Sequence, residues 1–156
     1  MQAATSSQGT SLTLRRTFAA SRETVFRAWT DPQALKQWWA PEGYSITEAA
    51  VDLRAGGSYR IGMMKQDTGL KFHLEGQFIE VERPARLVYT WAWRGSPMDP
   101  AETLVTVDFL ERGRETELVL VHERFPSQGD RDQHEHGWSK VLGNLNRFLG
   151  TAAQPS

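Results

Sequence analysis

Two periodicities divide the chain. Between Asp130 and Gly150 the residues His134, Trp138, Val141, Leu142, Leu145, Phe148 and Leu149 recur at steps of three and four, with Asp130, Arg131, Glu135, Lys140 and Asn144 between them. That spacing predicts an amphipathic helix over 130–150 with one buried stripe. Upstream, from Ser11 to Glu123, apolar residues mostly alternate with polar ones in short runs broken by Gly, Pro and Asp. A period of two predicts strands with one covered face, so the helix is expected to lie on the concave face of an antiparallel sheet.

Taken in order, Ser11–Phe18 reads as a first strand. Ser21 then suits a helix N-cap, because its hydroxyl can accept from the free amides of the first turn, and Val25, Phe26 and Trp29 share a helical face. Asp31-Pro32 restarts the helix with a cap and a proline at the first helical position, carrying Leu35 and Trp38. Strands follow over 45–53, 58–64, 70–81, 86–93, 103–110 and 115–123, with Ala55-Gly56-Gly57 and 65–69 as turns and 95–100 as a loop. Alternation groups Tyr59, Ile61 and Met63; Phe72, Leu74, Gly76 and Phe78; Leu87, Tyr89, Trp91 and Trp93; Val105, Val107 and Phe109; and Leu118, Leu120 and His122. The glycine on an apolar side removes a side chain where a bend or a ligand needs room. The expected fold is α+β: a curved antiparallel sheet of about six or seven strands around a long C-terminal helix, with two short helices after the first strand plugging one end. One domain covers 11–150, between a disordered N-terminus over 1–10 and a disordered tail over 151–156.

Composition narrows the function. The 156 residues suffice for one core without staples, and the chain has no Cys, which removes thiol chemistry. A net charge of -1, from 18 basic and 19 acidic residues without a basic block, argues against nucleic acid. Residues 1–10 lack a signal-peptide pattern and no run is apolar enough to span a membrane, so the expected location is the cytoplasm. Six Trp are the unusual feature, since large rings in quantity serve where much apolar surface must be lined.

Candidate chemistry is sparse. Asp52-Leu53-Arg54 before Gly56-Gly57 reads as a structural hairpin with an Asp52–Arg54 pair, because no helix follows to bind phosphate. His134 and His136 point about 200° apart on a helix and cannot share a metal, so no metal site and no cofactor are expected. His134 falls on the inward stripe and His136 faces water. His122 falls on the inner face of the last strand, and the two inward imidazoles could meet at one end of a cavity. They are the candidate general bases if there is one, and otherwise polar plugs at a pocket rim. No serine nucleophile elbow is present, and alternation turns Glu75 and Asp108 outward, away from a catalytic carboxylate pair. No catalytic residue is assigned.

Trp38-Trp39-Ala40-Pro41, Asp52-Leu53-Arg54-Ala55-Gly56-Gly57 and His134-Glu135-His136-Gly137-Trp138, in this order, resemble the START-like, SRPBCC helix-grip superfamily. Within it the chain is similar to the bacterial branch akin to the C-terminal domain of the activator of the Hsp90 ATPase, from about Leu12 to Leu149. The resemblance implies a hydrophobic cavity between helix and sheet, in relatives that carry lipids, shape polyketides or assist chaperones. The site residues then expected are Trp38, Trp39, Tyr59, Met63, Phe72, Tyr89, Trp91, Trp93, His122, His134, Trp138 and Leu142.

Three functions follow. The first is non-catalytic binding of a small lipid-like or aromatic ligand. The second, carried by likeness alone, is a chaperone-associated interaction domain with a role in stress response, although these residues hold no counterpart of the full activator's additional N-terminal domain. The third is a cyclase- or hydrolase-like enzyme using a cavity histidine. A homodimer through an open sheet edge is a further alternative.

Overall fold

The computed structural model describes residues 10–95 and 101–153. Apart from Thr10 and Gly95, the expected disordered N-terminus and the 95–100 loop, apart also from Ala101 onward, lie outside the described residues, as do residues 154–156 of the tail. Strand β1 (Leu12–Phe18) is followed by helices α1 (Arg22–Thr30) and α2 (Pro32–Trp38). Then come strands β2 (Tyr44–Val51), β3 (Ser58–Lys65), β4 (Lys71–Glu82), β5 (Arg86–Arg94), β6 (Thr103–Arg112) and β7 (Glu115–Glu123), and helix α3 (Gln128–Ala153). The strands form one seven-stranded antiparallel sheet in the order β1-β7-β6-β5-β4-β3-β2. The α+β helix-grip architecture is therefore as the periodicities predict.

Local chemistry explains the boundaries. The Ser21 hydroxyl accepts from the Thr24 amide at the start of α1. Asp31 accepts from the Gln33 amide, and Pro32 occupies the first turn of α2, so two helices replace one long one. Ser127 accepts from the Asp130 amide where α3 begins. The backbone of α3 runs on through Ala153, three residues into the stretch expected as tail.

The sheet curls because its register slips. Bulges fall between Ile46 and Glu48 on β2 and between Phe78 and Glu80 on β4, the second leaving Ile79 56% exposed. β1 and β2 are the two edges, and the α1–α2 connection crosses from one to the other, closing that end of the curl. Phe26 of α1 meets Phe109 of β6 edge-on at 5.3 Å, with Val105, Val107, Leu118 and Leu120 fully buried beside them.

On the outer face Glu75 and Asp108 are held in ion pairs with Arg94 and Arg86. The Asp52–Arg54 pair closes at 3.0 Å. Its turn docks on β4 through reciprocal backbone bonds, Gly56 N–H to Phe78 O and Phe78 N–H to Gly57 O, both 2.8 Å. A hydrogen-bonded turn clipped to a strand is structural.

A tryptophan-lined cleft beneath the C-terminal helix

The register of β5, β6 and β7 sets Trp91 opposite Thr103 and Val105 opposite His122, so Trp91, Thr103 and His122 share the concave face. Helix α3 brings Trp138 down onto them, its ring centroid 5.1 Å from that of Trp91. Trp39, just past α2, meets Trp138 edge-on at 5.5 Å and Trp91 at 5.9 Å. The half-buried Asn144 of α3 fixes this corner by donating to the carbonyls of Trp38 and Ala40 at 3.3 and 3.0 Å.

A cleft of about 110 Å³ opens between these elements. Trp39 and Pro41, Met63 of β3, and Trp91 and Trp93 of β5 form one side. Gln133, His134, Gly137, Trp138 and Val141 of α3 form the other. None of these side chains is an acid, an arginine or a lysine.

Both inward histidines stand here, 5.2 Å apart between ring centroids, and their partners fix their tautomers. The Trp138 indole donates to His122 Nδ1 at 3.0 Å, so that nitrogen carries no proton. His122 Nε2–H therefore donates to the Thr103 hydroxyl at 2.7 Å, which in turn donates to the Trp91 carbonyl at 3.2 Å. His134 is the mirror case. Its Nδ1–H donates to the Asp130 carbonyl at 2.8 Å, and its Nε2 accepts the Trp93 indole N–H at 3.0 Å. Burial holds the pKa of both below the ordinary histidine value. For His122 the neighbouring His134 adds to the effect, while for His134 the Asp130 carbonyl opposes it. Two neutral imidazoles thus each receive one indole N–H and spend their own proton on a fixed acceptor, which uses all four ring nitrogens.

Phe125 closes the site from behind, 4.3 Å from His122 and 4.8 Å from His134 between centroids. It is aimed there by Arg124, whose backbone takes the left-handed conformation at φ 74° where β7 ends.

Six of the expected site residues line the cleft: Trp39, Met63, Trp91, Trp93, His134 and Trp138. The other six stand elsewhere. Trp38 is buried at the α1–α2 junction, its indole donating to the Ala28 carbonyl at 3.0 Å. Tyr59 and Tyr89 line a separate void of about 20 Å³ with Trp29, Leu35, Phe78 and Trp39. There Tyr59 donates to the Thr90 carbonyl at 2.6 Å and Tyr89 accepts the Trp29 indole at 3.2 Å; burial raises the pKa of both phenols. Phe72 is half-buried between Tyr44 and Trp93. His122 sits behind Trp91 and Trp138, and Leu142 is packed in the core. Sequence reasoning missed Pro41, Gln133, Gly137 and Val141 as lining. A signal for the last three was present, since Gln133 and Gly137 lead by steps of four to Val141 of the inward stripe.

Helix, curled sheet and the cleft between them define a START-like, SRPBCC-type helix-grip protein. The chain belongs to the family described as Activator of Hsp90 ATPase homolog 1-like protein, which it matches over residues 19–150. Among solved structures it is similar to a protein from Chromobacterium violaceum, at 26% identity and TM-score 0.82 over 90% of this chain and 96% of that one. It is also similar to the AHSA1 protein from Silicibacter pomeroyi, at 28% identity and TM-score 0.80 over 91% and 99%. An HSP90 activator from Plasmodium falciparum aligns at 26% identity and TM-score 0.71 over 90% and 96%. No curated protein matches the chain significantly. Among the described residues no helix is long and apolar enough to cross a membrane, and no three His, Cys, Asp or Glu side chains gather as metal ligands.

Proposed function

We propose that this protein binds a small, planar, apolar molecule in the cleft between α3 and the sheet. The observation that carries this reading is the cleft itself, about 110 Å³ walled by four tryptophans, a methionine and a valine. An engineered apolar cavity of about 150 Å³ holds benzene, while drug-sized ligands occupy about 300–1,000 Å³. The dimensions favour a single aromatic ring over a long lipid. An acid–base enzyme is not favoured, because an imidazole with both nitrogens engaged must first lose an indole or a fixed acceptor before it can move a substrate proton.

Native mass spectrometry of the freshly purified chain, followed by tryptophan-fluorescence titration with one-ring aromatics, tests the proposal. Saturable quenching that Trp138→Ala removes is the expected result; a flat response to the whole series sinks it. Chaperone association is the second reading, supported by the family and by the likeness to the Plasmodium falciparum HSP90 activator. A stoichiometric complex with purified Hsp90 on gel filtration is its test, and co-elution at the position of the free chain counts against it.

A further inference from the structure

Two hydrogen bonds tie α3 to the sheet at the cleft, and they run in opposite senses. The indole of Trp93 on β5 donates to His134 on α3, and the indole of Trp138 on α3 donates to His122 on β7, both at 3.0 Å. The first spans the cleft, because Trp93 stands in one side and His134 in the other. Trp93 is also loosely held. The β5–β6 register ends at Trp91 and Thr103, so among the described residues Leu74 of β4 is the one strand partner of Trp93, and its ring is only partly buried. The acceptor in each bond is an imidazole nitrogen, which binds a proton in acid. A proton on His134 Nε2 sets an N–H against the Trp93 N–H at 3.0 Å, two donors face to face, and the pair must part. An imidazolium carries protons on both nitrogens, so turning the ring over restores nothing.

Resting on the ligand-binding reading above, we infer that the cleft is regulated by protons: His134 and Trp93 form a clasp that holds its two walls around a neutral ligand, and protonation of His134 opens the clasp and releases the ligand. His134 takes the first proton. It is 6% exposed, and although burial lowers its pKa, Asp130 one turn back on α3 works against burial. His122 is sealed completely, and burial and the neighbouring His134 both hold it neutral. It is the titratable group that faces His134 from β7, 5.2 Å away between ring centroids, so a charge on either ring discourages a charge on the other. The other charged side chains nearby are committed or turned to solvent. Arg131 serves Ser11, Asp132 and Glu135, Arg94 pairs with Glu75, and Arg124 is exposed. Met63 of β3, with Trp39 and Pro41 after α2, brings no charge to the cleft.

The experiment is a calorimetric titration of the native chain with benzene, toluene and anisole, which are uncharged at every pH. It runs in steps from pH 8 to pH 5, within the range where circular dichroism shows the chain folded, and imidazole and indole resonances are followed in parallel. Affinity is expected to be constant at the alkaline end and to fall about tenfold per pH unit below the His134 midpoint. Saturating ligand should lower that midpoint in return, and the Trp93 indole proton should move upfield with the same midpoint as His134. His134→Gln keeps an acceptor for the Trp93 indole but takes no proton, and should bind equally at every pH. Constant affinity through the His134 midpoint, a His134 that stays neutral until the chain unfolds, or an unchanged pH dependence in His134→Gln overturns the inference while the cleft remains a binding site. Failure of all three compounds to bind at any pH overturns the ligand reading and this inference with it. The linked midpoints are read in the unaltered protein, so the test survives if His134→Gln does not fold.

Discussion

The concave face of the sheet has two ends, one covered by α1 and α2 and the other by α3, built from the same kinds of residue with opposite results. At one end Trp29, Tyr59, Phe78 and Tyr89 close on one another and leave about 20 Å³. At the other Trp91, Trp93, Trp138 and His134 leave about 110 Å³. Trp39 borders both. At the closed end the phenol and indole groups bond to each other and to a strand carbonyl, which draws the rings inward. At the open end two indoles are turned aside to meet histidines, one on β7 and one on α3. Aromatic content is equal; the placement of hydrogen-bond acceptors decides which end fills.

The harshest way to break this contrast is Trp39→Ala, which deletes the partition. A buried tryptophan lost to alanine costs about 3–5 kcal/mol. A urea midpoint lowered to match, together with uptake of a two-ring aromatic that the native chain rejects, is the expected result. A variant as stable as the parent would mean that the two ends are already continuous.

Two glycines give the next test, with opposite signs. Gly76, paired with Tyr59 at the closed end, has no room: a Cβ there falls 2.0 Å from the Thr90 carbonyl oxygen and 2.7 Å from the Tyr59 ring. Gly76→Ala should therefore destabilise by about 1–3 kcal/mol, the range for overpacking. The room expected beside that glycine is taken by Tyr59. Acid attacks the open end instead. Both buried histidines have native pKa values below the ordinary value of about 6.5, so between the two the unfolded chain binds more protons than the folded one. Their contribution is complete above the unfolded pKa and is lost as pH falls towards the native values. Urea midpoints should drop from pH 7.5 to pH 5, with Trp93 and Trp138 indole resonances shifting first. A midpoint that rises over that interval would contradict neutral imidazoles in the folded chain.

The smallest effect is expected at Gly137, which lines the cleft and whose added Cβ meets nothing within 4 Å. Replacing an unstrained helical glycine by alanine stabilises by about 0.4–1 kcal/mol. Gly137→Ala should raise the midpoint slightly while weakening the binding of one-ring aromatics, because the methyl enters the ligand's space. Gain in stability without loss of binding would place the ligand elsewhere.

Much of the architecture was legible from residue spacing alone. The switch from period two to a three-and-four stripe after Glu123 marked α3, and Ser21 and Asp31-Pro32 marked two separate helices, because caps and backbone preferences act within a few residues. The inward sides of β3, β4, β5, β6 and β7 also followed from alternation, and the two imidazoles placed at one end of the cavity do meet, 5.2 Å apart. What spacing could not divide was the aromatic set. Trp38 and Trp39 are adjacent, yet one donates to a helix carbonyl in the core and the other walls the cleft. Tyr89 and Trp91 share a strand face and end in different voids.

Order along the chain therefore determined the elements and most of their covered faces, since each depends on local backbone chemistry and on the period of apolar residues, and three short motifs carried the resemblance to the family. The tertiary structure alone decided which rings close and which stay apart. That outcome rests on bonds between distant residues, Trp138 to His122, Trp93 to His134 and Asn144 to Ala40. Such pairings arise only after the sheet has curled and the helix has landed, so no local pattern encodes them.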